Sequence, residues 1–222
     1  MTPTQEAKQF LIKRLNAEQR MSSLLEEELL LSAEKIVDIA HKYNIPIGRL
    51  SSTNDPIVQE EIEKVIQELI EALYEDVEEL CIKADKEQRQ YIIAFITTSV
   101  FGMTLLSRID KWARDFSVWA RLMYDKGYFD KSVRIPMKIG ANYGMDRLLR
   151  HTIARAWMES KKHNAIDSGA RYFSTHRGSS YPCTICDDEQ AKGIQPISAF
   201  SLPLHNNCCC YAIFYDENKQ PL

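Results

Sequence analysis

A mostly helical chain that ends in a small α+β, cysteine-rich module is the fold this sequence predicts, and three observations predict it. Apolar residues recur at three- and four-residue spacing between positions 10 and 157, the period of helices with one buried face. Beyond Gly169 that period stops, and two short runs rich in aromatic and β-branched residues, 170–175 and 211–215, read as strands. Between those runs lie five of the chain's six cysteines. A composition of 45 % hydrophobic and 27 % charged residues over 222 positions is that of a folded protein able to bury a core. The organisation expected is a multi-helix domain over 1–139 and a second domain over 140–222, with the cysteine-rich, zinc-knuckle-like module at 169–215.

The elements follow in order. Thr2-Pro3-Thr4-Gln5 is a capping box with proline where a missing N–H costs nothing. Phe10, Leu11, Leu15, Met21, Leu24, Leu25 and Leu29 then keep helical spacing, continued by Ile36, Ile39 and Ala40; one helix, or two broken near Ser32, fits the pattern. Pro46 disfavours helix at Ile45 and ends it. Asp55 caps a helix over 56–82, whose stripe of Val58, Ile62, Val65, Leu69, Leu73, Val77 and Leu80 is flanked by carboxylates. That acidic face reads either as solvated surface or as a dock for a basic partner.

Positions 91–107 hold no charged residue. Thr97, Thr98, Ser99, Gly102 and Thr104 dilute the run, so it reads as a core helix at the centre of a bundle, not as a membrane span. Ile109, Trp112, Phe116, Trp119, Ala120 and Met123 predict a buried stripe on the helix after it. Gly127 and 130–136 form a connector. A helix over 140–162 follows, with Met145, Leu149, Ile153, Ala156 and Trp157 inward. Its Arg147, Arg150 and Arg155 lie on more exposed faces, where they could touch phosphate or a partner. The tail 216–222 is expected to fray.

Charge is segregated along the chain. Positions 1–107 carry a net −8, 108–177 a net +8, and the remainder −3. Such a split either steers one surface toward DNA or an acidic protein, or is satisfied by the segments packing on each other.

The chemistry concentrates in 183–210. Cys183-Thr-Ile-Cys186 places two sulfurs two residues apart, and after 18 intervening residues His205-Asn-Asn-Cys208-Cys209-Cys210 brings further donors. Thiolate and imidazole together suit Zn²⁺, which imposes no redox chemistry. Cys183, Cys186, Cys208 and Cys210 form the first choice of ligands, with His205 replacing one of them or supporting from behind. Paired disulfides and reduced, buried thiols are the alternatives. A redox-active C-x-x-C is disfavoured because no pattern sets Cys183 at a helix start after a strand.

This close resembles that of the Mu F-like head morphogenesis proteins of tailed phages, whose C-terminal domain ends in C-x-x-C followed by H-P-x-C-R-C. Cys183 and Cys186 match the first pair, and the segment from Leu204 to Cys210 matches the second. Asn206 stands where the family usually has proline, and Cys209 where it has arginine. The resemblance covers about residues 140–215. It implies a structural minor head protein that acts in capsid assembly with the portal and other capsid proteins, in host cytoplasm and then in the virion. Some relatives accompany DNA.

No phosphate-cradling glycine motif, H-E-x-x-H or G-x-S-x-G occurs in the sequence, so no enzymatic activity is expected. The opening residues lack a basic start and an apolar core, and clustered cysteines without a secretion signal suit a reducing cytosol. The competing reading is a DNA-binding or nuclease-like protein with a structural zinc module.

Overall fold

The computed structural model describes residues 2–99, 102–129, 135–138 and 140–222. Among them are six α-helices and three strands: α1 Pro3–Lys42, α2 Pro56–Ile82, α3 Arg89–Thr97, α4 Leu105–Asp125, α5 Gly140–Asp167, β1 Tyr172–His176, α6 Thr184–Ala191, β2 Ile194–Pro196 and β3 Tyr211–Tyr215. The chain is thus mostly helical, with a small mixed α+β module at its C-terminal end. It divides into two compact units: one formed by 1–20, 79–96 and 149–222, the other by 21–78 and 97–148. Residue 139 and most of the expected connector, 130–134, lie outside the described residues.

The capping box forms as the sequence dictates. Thr2 N donates to Gln5 Oε1 at 2.9 Å, and Gln5 N to Thr2 Oγ1 at 3.3 Å. Helix α1 then runs unbroken through Ser32, which is buried. It stops where Asn44 turns left-handed (φ 50°) and Ile45 N reaches back to Ala40 O at 2.8 Å. Asp55 caps α2 through Ile57 N (2.9 Å) and Val58 N (3.3 Å).

The all-helical unit is a bundle of parts of α1, α2, α4 and α5. Met21, Leu25, Leu29, Ile36, Val58, Ile62, Leu69, Leu73 and Val77 are buried in it. The stripe on α4 is rotated from the expected one: Ile109, Ala113, Phe116, Ala120 and Tyr124 are buried, while Trp112 and Trp119 are half-buried at its margin. Trp112 has a packing reason to sit there, since a Cβ at Gly144 of α5 would overlap its ring. The acidic face of α2 is partly occupied within this unit. Arg114 of α4 forks onto both Glu63 oxygens at 2.8 Å, and Lys35 and Lys42 of α1 reach Glu68 and Glu61.

The 91–107 run is not one core helix. It ends as helix at Thr97, and Gly102 takes φ 77° before Thr104 caps α4 by accepting from Ser107 N at 3.1 Å. Ile92, Ile96 and Leu105 are buried, whereas Ala94, Thr97, Thr98 and Ser99 face water. Val100 and Phe101 lie outside the described residues. Lack of charge here marks a chain that changes direction, not one covered on every side. No helix among the described residues is long and apolar enough to cross a membrane.

One carboxylate fixes the turn after α1. Asp125, at the end of α4, accepts from Leu50 N at 2.7 Å, Ser51 N at 2.9 Å and the Ser51 hydroxyl. Burial works against its ionisation, but the hydrogen bonds from Ser51 and Leu50 outweigh burial and hold the carboxyl below its ordinary value. A depressed carboxylate stabilises the fold above its unfolded pKa and loses that contribution as pH falls through the folded value. Asp125→Ala is expected to cost about 1.5–3 kcal/mol at neutral pH, the range for hydrogen bonds to a charged acceptor. In urea unfolding, the gap from wild type should narrow as pH falls below about 4, where the unfolded chain takes up the proton first, and down through the lower folded value.

In the other unit, β1 is the central strand of a sheet ordered β2-β1-β3, antiparallel throughout. Phe173 pairs with Phe214 and His176 with Tyr211, so the two expected strands do bracket the cysteines. Phe173, Ala212 and Phe214 point into a core with Met158 and Ala165 of α5, Leu202, Cys186, Cys208 and Cys210. On the opposite face Tyr211 and Ile213 pack with Ala7 and Leu11 of α1. Trp157 anchors α5 by donating its indole N–H to Leu80 O at 2.9 Å. The C-terminal tail is ordered, against the expectation of fraying: Asp216 Oδ1 accepts from Asn218 N and Gln220 N at 2.8 Å, and Leu222 N donates to Phe214 O at 3.0 Å.

Candidate metal centre

After β1 the chain needs a tight passage. At Gly178 a Cβ would overlap the Cys209 carbonyl oxygen and the Leu11 side chain, so only glycine lets this loop lie against the cysteine run. Arg177 clamps the loop to α6, binding the Asp187 carboxylate and the Tyr181 carbonyl. Cys183 is the N-cap of α6 (φ −154°, ψ 102°), and its carbonyl accepts from Asp187 N at 3.0 Å. The sequence reading that gave Cys183 no helix start is therefore corrected. A helix of eight residues opening in a polar, cysteine-containing loop has too little apolar periodicity to announce itself. As N-cap and first-turn residues, Cys183 and Cys186 can turn both sulfurs to one side.

Helix α6 is tied down by Glu189, a buried carboxylate that accepts from Lys192 Nζ at 2.6 Å and Gln195 Nε2 at 2.8 Å. The second limb returns through 204–210. Asn207 adopts a left-handed backbone (φ 63°), which asparagine tolerates, and Cys208 N donates to His205 O at 3.2 Å. This turn carries His205 back over the C-x-x-C.

All five expected donors converge. Cys183, Cys186 and His205 form one group, and Cys186, Cys208 and Cys210 a second; within each group every donor atom lies within 4.8 Å of the others. Cys186 belongs to both. His205 Nε2 is 3.2 Å from Cys183 Sγ and 3.1 Å from Cys186 Sγ. A tetrahedral zinc with bonds of about 2.0–2.3 Å would set such neighbours roughly 3.3–3.8 Å apart, so the limbs are already near metal-binding geometry. His205 Nδ1 donates to Asn206 O at 2.6 Å, which leaves the Nε2 lone pair facing the two sulfurs. The residues therefore fit a metal ion in donor type, spacing and tautomer.

Without an ion the crowded thiols share protons unequally. The Cys210 thiol hydrogen-bonds to Cys208 and holds it down to about 5, against the opposing effect of burial, while Cys210 itself is pushed up. Burial pushes Cys186 up to about 12. Cys183 is lowered by hydrogen bonds from Cys186. The chemistry is that of a chelate that must shed protons to load.

Cys208 is buried below the surface, whereas Cys183, Cys186, His205 and Cys210 line a cavity of about 270 Å³. Cys209 belongs to neither donor group; its sulfur leans toward Asn207 O at 3.6 Å. None of the six cysteines is in a disulfide.

The three arginines expected to touch phosphate or a partner differ in their surroundings. Arg147 is exposed, with its guanidinium 5.3 Å from the Tyr143 ring centre. Arg155 is half-buried above Phe95 at 5.1 Å, and Arg150, 26 % exposed, lies 3.8 Å from the buried Glu18 carboxylate. Arg150 and Arg155 thus stand on partly buried faces of α5. Sequence reasoning passed over Arg14 and Glu18, which are 0 % and 2 % exposed and 3.2 Å apart. The available signal was position: Arg14 stands three and four residues after Leu11 and Phe10, on the apolar stripe of α1.

No protein-family model, curated protein or solved structure matches this chain.

Proposed function

We propose that this chain is a structural protein whose C-terminal module is clasped by one zinc ion, and that it serves as a minor head protein of a tailed phage or prophage. In this reading it acts with the portal and other capsid proteins during assembly in the host cytoplasm, and remains in the head. The carrying observation is the convergence of Cys183, Cys186, His205, Cys208 and Cys210 between two paired strands, the residues of the C-x-x-C and H-x-x-C-x-C pattern on which the Mu F-like resemblance rests. Zinc would supply a redox-inert crosslink between the α6 limb and the 204–210 limb. Cys186, Cys208 and Cys210 are buried in the core cluster, which suits a structural site better than a catalytic one. The pairing of Arg114 with Glu63, and of Lys35 and Lys42 with α2, supports satisfaction of charge within the chain over a broad surface for DNA.

Protein purified without added metal should contain about one zinc per chain. Pulled down from phage-producing cells, it should bring portal or capsid protein with it and show no turnover of nucleic acid when pure. Recovery of neither, together with metal-dependent DNA cleavage by the pure chain, would establish the nuclease-like alternative.

A further inference from the structure

We propose that Cys186 is a bridging thiolate, and that the five donors form two three-coordinate half-sites able to hold a pair of copper(I) ions. The inference goes beyond the zinc reading: it shares that reading's residues but neither its ion nor its count.

The donors stand as two threes, not as one four. Cys183, Cys186 and His205 make the first group and Cys186, Cys208 and Cys210 the second, and no four of the five form one such group. A single tetrahedral ion needs four donors spaced roughly 3.3–3.8 Å apart, so one limb must shift to close around it. Two trigonal ions need no such shift, because each finds three donors already gathered. Thiolate is the soft ligand type that selects copper(I), and imidazole also suits copper. A thiolate sulfur has lone pairs enough to serve two such ions at once.

The metal-free contacts run along the same path. Cys186 hydrogen-bonds to Cys183 on one side and to Cys210 on the other, and Cys210 in turn to Cys208. Protons thus lie between the sulfurs where the ions would lie, and they leave to solvent as the ions load. His205 completes the first half-site, with Nε2 3.2 Å from Cys183 Sγ and 3.1 Å from Cys186 Sγ, and Nδ1 engaged by Asn206 O.

The setting suits a copper(I)–thiolate centre. Cys186, Cys208 and Cys210 are 2–3 % exposed, and such an apolar surround limits the access of solvent to the bridging sulfur. Donors of both groups, Cys183, His205, Cys186 and Cys210, line one cavity, which gives the two half-sites a common way in. Arg177 shares that cavity, with its guanidinium held on the Asp187 carboxylate.

The test is anaerobic titration of the full, reduced chain with copper(I) delivered from a competing chelator, followed by X-ray absorption spectroscopy. Wild type should take up two ions per chain, with three ligands around each and a short copper–copper vector. A plateau at one ion, or two ions with no copper–copper vector, overturns the proposal. Cys186→Ser should lose that vector whatever copper it keeps; a vector that persists would put the bridge on another sulfur and overturn the assignment. Cys209→Ser, outside both groups, should still take up two ions, and a fall to one would overturn the donor set. The zinc content of the chain as purified is read separately. A chain without zinc that binds two bridged copper ions sinks the zinc reading alone, whereas a chain with one zinc and a plateau at one copper sinks only this inference.

Discussion

Cys186→Ser is expected to strip the chain of stoichiometric zinc, while Cys209→Ser keeps about one ion per chain. Cys186 is the member common to both donor groups, with its sulfur within 4.8 Å of each of the other four donor atoms; Cys209 belongs to neither. Loss of an ion held a thousandfold more tightly than its free concentration removes about 4 kcal/mol of stability, a large share of a domain's margin. The effect should be local. Amide exchange should accelerate across α6, β2 and 204–210, whereas the bundle formed by 21–78 and 97–148 should keep its protection. Because burial pushes the metal-free Cys186 thiol up to about 12, loading must displace its proton, and apparent affinity should climb with pH. Full zinc occupancy in Cys186→Ser would contradict the site as described.

Arg14→Met should be the most damaging single change away from the cysteines. It takes away the guanidinium that lies 3.2 Å from the Glu18 carboxylate, which is 2 % exposed, and it removes the donor to Cys208 O. Removing one partner of a buried pair typically costs about 3–5 kcal/mol, because the stranded charge cannot recover its hydration. Arg14→Met/Glu18→Met should regain most of that loss, since a buried pair replaced by apolar groups of similar volume is often close to neutral. Urea denaturation of the two variants and wild type measures both effects. A loss below about 1 kcal/mol in the single variant would mean that water reaches the pair.

Much of this was legible in the sequence where one physical rule dominates. The capping box at Thr2, the Asp55 cap, the α2 stripe and the strands around the cysteines all follow from local hydrogen bonding or period. Clustering of five donors was legible because chelation demands it. The failures fall where tertiary context decides. The uncharged run at 91–107 predicts a buried helix, but absence of charge does not prevent a chain from turning at a glycine. The spacing of the α4 tryptophans predicts core positions, yet rings of that size can sit at a margin and still cover a neighbour such as Gly144. Helix α6 is too short to show a period, and at Arg14 the position on the apolar stripe competes with a charge that normally argues for exposure.

The ordered tail has a consequence for how many copies of this chain can coexist at close quarters. A sheet edge with open N–H and C=O groups is a template on which a neighbour's strand can zip, and crowding favours such zipping. Here Tyr215 bridges to Pro221 and Leu222 N occupies the Phe214 carbonyl, so residues 221–222 cover the Phe214–Tyr215 end of the outer side of β3. At the other edge β2 offers three residues, one of them Pro196, which has no N–H to give. Neither border invites an added strand, and copies brought together at high local concentration would meet through side chains rather than polymerise through backbone.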